Sequence, residues 1–199
     1  MAQLANVLEE STTGRPRDSL KTRQILDTVR RLMEVSGVGI TVDQIATAAG
    51  VSRDAVYTRW PTRRDVIITA ALELVTDEVP IPDTGSLRGD LLELTAAFAH
   101  GLAGGFGRVY RSILAEADRD PHWQPVLLAA HKNRRAATTV ILERAVQRRE
   151  LASLPEGDQL LDFVAGVLWY RFLISLDVQP DHDLPGLVDR ALIAFTPIA

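Results

Sequence analysis

The chain has 199 residues, 46% of them hydrophobic and 24% charged, with no cysteine and a formal net charge of −4. That length and apolar content suffice for a buried core and exclude a wholly disordered or collagen-like chain, and the lack of cysteine excludes a disulfide frame and thiolate metal sites within this sequence. The charge is uneven: residues 15–65 carry ten Lys/Arg against six Asp/Glu, whereas residues 66–199 carry twelve against eighteen.

A basic N-terminal quarter on an acidic remainder suits a small nucleic-acid-binding module joined to something else. The first fourteen residues include Glu9 and Glu10 and lack a basic start followed by an apolar run, so no secretory signal is expected. The longest apolar stretch, residues 160–176, is broken by Asp162, Arg171 and Ser175, which disfavours a membrane span. A cytoplasmic protein with no membrane partner is the expectation.

No segment alternates like a strand, so the chain reads as all-α with about nine helices. Ile25, Leu26, Val29, Leu32 and Met33 share one face of a first helix running from about Asp18 to the Gly37 and Gly39 pair. Thr41 with Gln44 predicts a capping box, and hence a short helix from Val42 to Ala49 that Gly50 ends. Ser52 caps a third helix that Pro61 stops, and Thr62 with Asp65 opens a fourth. The fourth helix carries Val66, Ile67, Ala70, Ala71 and Leu74 on one side.

After a Pro/Gly-rich turn at residues 78–86, Leu87, Leu91, Leu94, Phe98 and Leu102 line a fifth helix, which the glycines of "GLAGGFG" break. A sixth reaches about Ala117. Val126, Ala130, Ala137, Ile141 and Ala145 mark a long seventh. Residues 160–176 are apolar nearly all round, whereas Leu184, Leu187, Val188, Ala191, Leu192 and Phe195 form one stripe. Such a terminal pair fits either a deep core or a helical dimer interface.

Function concentrates at the second and third helices. Ile45, Ala49, Val51 and Val56 face inward, Ala46 permits close approach, and Gly50 supplies the positive φ of a sharp turn, which is helix-turn-helix geometry. The third helix then exposes Arg53, Asp54, Tyr57 and Thr58, and a helix of this diameter fits the major groove of DNA.

The segment from Thr41 to Ile67, "TVDQIATAAGVSRDAVYTRWPTRRDVI", resembles the DNA-binding domain of the tetracycline-repressor (TetR) family. The likeness rests on the threonine cap, the AGVS turn, the tyrosine and following aromatic, and the basic residue opening the fourth helix. It is specific across residues 19–74 and architectural beyond them.

The resemblance implies a flexible arm at residues 1–17, a DNA-binding domain at 18–65 and a ligand-binding and dimerising helical body at 66–199. It implies phosphate contacts from Thr41, Tyr57 and Arg63, with base reading among Ser52, Arg53, Asp54, Ala55 and Thr58. Trp60 is expected as core. Arg15 and Arg17 either enter a minor groove or belong to a solubilising tail.

The implied partners are a palindromic double-stranded operator, a second copy of the chain and a small apolar or amphipathic effector. Candidate pocket residues are Phe98, Leu102, Phe106, Tyr110, Trp123 and Trp169, although aromatics at helical spacing fill plain core more often than they line a ligand wall. A dimer interface is expected from Leu161, Ala165, Leu168, Phe172, Leu184, Val188, Leu192 and Phe195.

His100, His122, His131 and His182 never fall at close metal-ligand spacing, and no catalytic motif is present. No metal, cofactor or catalytic residue is therefore expected. An all-α enzyme or carrier that keeps the helix-turn-helix as architecture is the alternative.

Overall fold

Capping chemistry sets where the N-terminal helices begin. In the computed structural model, which describes residues 16–77, 80–155, 159–177, 179 and 183–195, α1 spans Pro16–Ser36 and is followed by α2, Val42–Ala49. The Thr41 hydroxyl accepts the Gln44 N–H while the Gln44 side chain takes the Thr41 N–H, so both expected bonds of the box are made. Gly50 ends α2 in the left-handed region at φ 65°, its N–H reaching the carbonyls of Ala46 and Thr47. Ser52 caps α3 (Arg53–Tyr57), and Thr62 with Asp65 forms a second box at the start of α4 (Arg63–Thr76).

The remaining described helices are α5 (Leu87–Ala103), α6 (Gly105–Ala117), α7 (Gln124–Gln147), α8 (Gln159–Tyr170) and α9 (Leu184–Phe195). A wide helical turn, Arg171–Ser175, prolongs α8. The described architecture is therefore all-α, with nine α-helices among the described residues.

Ile25, Val29 and Met33 of α1 meet Ile45 of α2, Val56 of α3, Trp60, and Val66, Ile67, Ala70 and Ala71 of α4. The cluster continues without a break into Val109 and Ile113 of α6 and Val126 and Ala130 of α7. The boundary expected at residue 65 thus falls where a helix opens whose apolar face is shared by both sides. A second cluster joins α5, α7, α8 and α9 through Leu91, Ile141, Val164 and Val188, and a third holds Leu102, Leu168, Phe172 and Leu184.

Polar fasteners tie the first three helices to the body. The Val38 N–H donates to Ser112 Oγ (3.1 Å), Arg108 donates to the Glu34 carbonyl (2.6 Å), and Arg64 pairs with Asp120 (3.1 Å). Hydrogen bonds from the His122 ring and backbone, together with Arg64, hold the Asp120 carboxyl down to about 2. Asp90 is fully buried on α5 and accepts from the Thr84 N–H (2.6 Å), the Thr84 hydroxyl (2.8 Å) and Arg148 (2.9 Å). Burial pushes its pKa up, but these bonds outweigh it and leave the carboxyl below its ordinary value.

Two stability tests follow from this packing. Gly37 has φ +68°, and a Cβ there would lie 2.9 Å from the Ser112 side chain, whereas a Cβ at Gly39 meets nothing within 4 Å. Gly37→Ala should cost more than about 1 kcal/mol of unfolding free energy, and Gly39→Ala less than about 0.5 kcal/mol, measured by urea denaturation. Because Asp90 has a lowered folded pKa, its stabilisation is complete above the unfolded carboxylate range and is lost as pH falls through the folded value. Asp90→Asn should accordingly lower Tm at pH 7 by more than it does near pH 3, and an equal loss at both would contradict the linkage.

Candidate nucleic-acid interface and internal cavity

α3 is too short to be held by its own hydrogen bonds and depends on what surrounds it. Val56 is 1% exposed and anchors its inner side, Trp60 packs in the core just beyond it, and Gln24 of α1 donates to the Ala49 carbonyl at the end of α2 (2.8 Å). Arg59 bridges α3 to α1, donating to Thr22 Oγ1 (3.1 Å) and to the Ala55 carbonyl (2.7 Å). With that face locked, Ser52, Arg53, Asp54, Tyr57 and Thr58 are left exposed, and Ala55 is half-buried among them.

The exposed row has internal order. Arg53 lies 3.2 Å from the Asp43 carboxylate, and a hydrogen bond with Tyr57, followed by the Asp43 charge, stabilises the cation. The Thr58 hydroxyl donates to the Asp54 carbonyl (2.7 Å). Asp54 therefore shares the face with Arg53 while the acid holding that guanidinium is Asp43 of α2. Thr41 is exposed at the start of α2, its hydroxyl engaged in the cap.

Arg63 is also exposed, but two of its donors are directed inward, Nε to the Ile40 carbonyl (2.5 Å) and Nη2 to the Val38 carbonyl (2.7 Å). A residue expected only to clamp a phosphate thus braces the connection between α1 and α2. Arg15 lies outside the described residues, and of Arg17 only its place in α1 is described.

The body holds a partly open cavity of about 680 Å³ between α4, α5, α7 and α8, within the ~300–1,000 Å³ of small-molecule sites. Phe98 and Phe106 line it; Leu102, Tyr110, Trp123 and Trp169 do not. Leu102 faces the third core cluster. Tyr110 and Trp169 meet as tilted rings with centroids 4.8 Å apart behind the wall, and Trp123 packs near Ile67 beneath the junction with α4. The three aromatics among these four fill space between helices, and smaller side chains such as Leu74, Thr95, Ala137 and Val164 bound the void together with Phe98 and Phe106.

Arg134 of α7 also lines the cavity. Its guanidinium lies 3.9 Å from the Phe98 ring centroid and 5.5 Å from that of Trp169, and burial pushes its pKa down. The sequence signal for it was a gap: Ala130 and Ala137 are buried at 5% and 9%, and position 134 lies between them on the same side of α7.

The terminal helices present a different face from the expected one. Ala165, Leu168, Phe172, Leu184 and Val188 are buried within the protomer, Leu161 lines the cavity, and Leu192 and Phe195 are half-buried against the second cluster. The exposed apolar row is Phe163, Tyr170 and Ile174 along α8 and its extension, with Ile193 on α9. The all-round apolar character of residues 160–176 thus divides between an inner face facing the core and an outer row. Among the described residues no cluster of three His, Asp or Glu could hold a metal ion, and no helix is long and apolar enough to cross a membrane.

Comparison with known proteins reproduces both parts of the chain. Residues 25–70 match the family described as bacterial regulatory proteins, tetR family, and residues 81–191, more than half of the chain, match the tetracyclin repressor-like C-terminal domain. The HTH-type transcriptional regulator Rv1556 of Mycobacterium tuberculosis is 30% identical over 193 residues, covering 96% of this chain and 94% of its own. YdeS of Bacillus subtilis is 31% identical over 192 residues, covering 92% and 93%. Among solved structures, the TetR family regulator SCO0332 superposes with a TM-score of 0.66 at 26% identity over 89% of this chain and 99% of its own. A helix-turn-helix and a helical body matched to regulators over nearly their full length answer the alternative of an enzyme or carrier. The chain belongs to the tetracycline-repressor (TetR) family of DNA-binding, ligand-responsive transcription regulators.

Proposed function

We propose that the protein is a repressor that occupies a palindromic operator as a homodimer and is released when a small molecule fills the cavity of the body, and that it does so in the cytoplasm. The observation that carries this reading is the exposed row of α3, a cation and hydrogen-bonding groups on a helix whose other side is locked into the core. Arg53 is the base reader, with a fork suited to the O6 and N7 acceptors of guanine. Tyr57, on the same helix face, is a phosphate donor, and Thr41, exposed at the start of α2, adds a second phosphate contact. Arg63 acts at one remove by bracing residues 38–40, so that α2 and α3 keep their register on the duplex. Arg17, and Arg15 ahead of it, serve the minor groove from the start of α1.

One protomer offers one recognition helix, and a two-fold dimer supplies the second half-site about one DNA turn away. The dimer face proposed here is the outer row of Phe163, Tyr170, Ile174 and Ile193, in place of Ala165, Leu168, Phe172, Leu184 and Val188, which are buried within the protomer. Large apolar side chains left exposed on two helices that contact each other support that choice.

Signal transfer runs through α4. Its C-terminal end borders the cavity through Leu74 and Val75, and Asn133 of α7 donates to the Val75 carbonyl (3.1 Å). Its N-terminal end holds Arg63 and Arg64 against the DNA-binding helices and Asp120. A ligand that favours a displaced α4 changes the spacing of the two α3 helices, and a ligand indifferent to that displacement releases nothing.

Gel-shift titration on DNA beside the protein's own gene, at several salt concentrations, tests the reading. A sequence-preferring complex that weakens steeply with salt is expected; its absence would sink the proposal. Arg53→Ala should cost about 1–3 kcal/mol and relax preference at particular base pairs. Arg63→Ala should weaken binding to all sequences and lower Tm as well, because two backbone carbonyls lose their donor. For the dimer, Ile193→Asp should shift the solution mass toward the monomer with little change in helicity. A dimer unaffected by charges at both Ile193 and Tyr170 would place the interface elsewhere.

A further inference from the structure

The walls of the cavity are apolar apart from four side chains, Thr95, Asn133, Arg134 and Thr138. Three of these spend their donors on the protein itself. Thr95 donates to the Leu91 carbonyl (2.6 Å), Thr138 to the Arg134 carbonyl (3.1 Å), and Asn133 to the Val75 carbonyl.

Arg134 alone does not. Among the described residues its guanidinium has no hydrogen-bond acceptor and no carboxylate partner, and no Asp or Glu lines the cavity. Its neighbour Arg135 turns outward to Asp162 (3.3 Å) and His131 (2.6 Å), so the acid on the nearest turn of α8 is already engaged. Guanidinium does not lose its proton in proteins, and Arg134, half-buried at the cavity wall, carries a charge that no neighbouring acid offsets. The guanidinium sits over the Phe98 ring and within cation–π reach of Trp169, contacts that position the fork without occupying its N–H donors.

We propose that the effector is an amphipathic organic carboxylate. Its two oxygens pair with the Arg134 fork, and its apolar body fills the space bounded by Leu74, Ile81, Leu91, Leu160 and Val164. This rests on the reading of the cavity as the effector site and adds the charge and polarity of what enters it. The site also lies one residue from Asn133, which holds the end of α4. Seating a carboxylate on Arg134 therefore acts on the turn of α7 that grips α4.

The test is calorimetric titration of the full-length protein with decanoate, 1-decanol and decylammonium, all below their micellar concentrations. The expected result is one decanoate site per protomer, at least tenfold tighter than decanol, with decylammonium weakest. Arg134→Gln should lose most of the preference for decanoate and leave decanol affinity within about twofold, and Arg134→Lys should recover part of it. Circular dichroism and operator binding report whether each variant is folded, and should one fail to fold, the wild-type series decides alone. Equal affinity for decanoate and decanol overturns the carboxylate proposal and leaves the cavity as an effector site. So does decanoate binding that Arg134→Gln does not change. Binding of none of the three overturns the effector-site reading and the proposal with it, while operator binding by the same preparation leaves the DNA-binding reading standing.

Discussion

The complete burial of one side of α4 is the constraint on which the rest of the molecule depends. Val66, Ile67, Ala70 and Ala71 have no exposed surface, and they bring α4 against α1 on the DNA-binding side and α7 on the body side. Two alanines at the centre let the helices approach closely, and an interior packed like a crystal has little slack to absorb a shift. On the proposed route of signal transfer, a movement of α7 is handed on as displacement of α4. The capping box at Thr62 fixes where that rigid body starts, and Arg63 and Arg64 turn its first turn into a bracket for the neighbouring segments.

Much of the head was legible in the sequence because its signals are local. The Thr41 and Thr62 boxes, the Gly50 turn and the Ser52 cap each depend on residues within a few positions of one another, and all four are formed. The inward set of Ile45, Ala49 and Val56 followed from helical period alone, and so did the outward row of α3. Arg63 was half legible. Its position at the opening of α4 is local, but the carbonyls it serves are 23 and 25 residues away, and no spacing rule reaches that far.

The body was less legible because periodicity says which side of a helix is apolar without saying what lies opposite. Leu94 and Phe98 share their stripe on α5 with Leu91 and Leu102, yet the first pair borders a void and Leu102 lies in a core. Along residues 160–176 every side is apolar, so period cannot select a face. The division into buried Ala165, Leu168 and Phe172 and exposed Phe163, Tyr170 and Ile174 is set by where α5, α7 and α9 sit. Arg134 stood in the gap of the stripe of Val126, Ala130, Ala137, Ile141 and Ala145, a polar residue at a position facing inward, which is the kind of local inconsistency that marks function.

Asn133 and Arg134 are consecutive, one gripping the end of α4 and the other bordering the cavity. Binding free energies are state functions, so the coupling proposed through this pair runs equally in both directions. Whatever factor the small molecule removes from operator affinity, the operator removes from affinity for the small molecule. Protein seated on DNA is thus a poorer receptor than protein free in solution, and the concentration of effector needed to clear a promoter rises with the number and strength of the sites the protein holds.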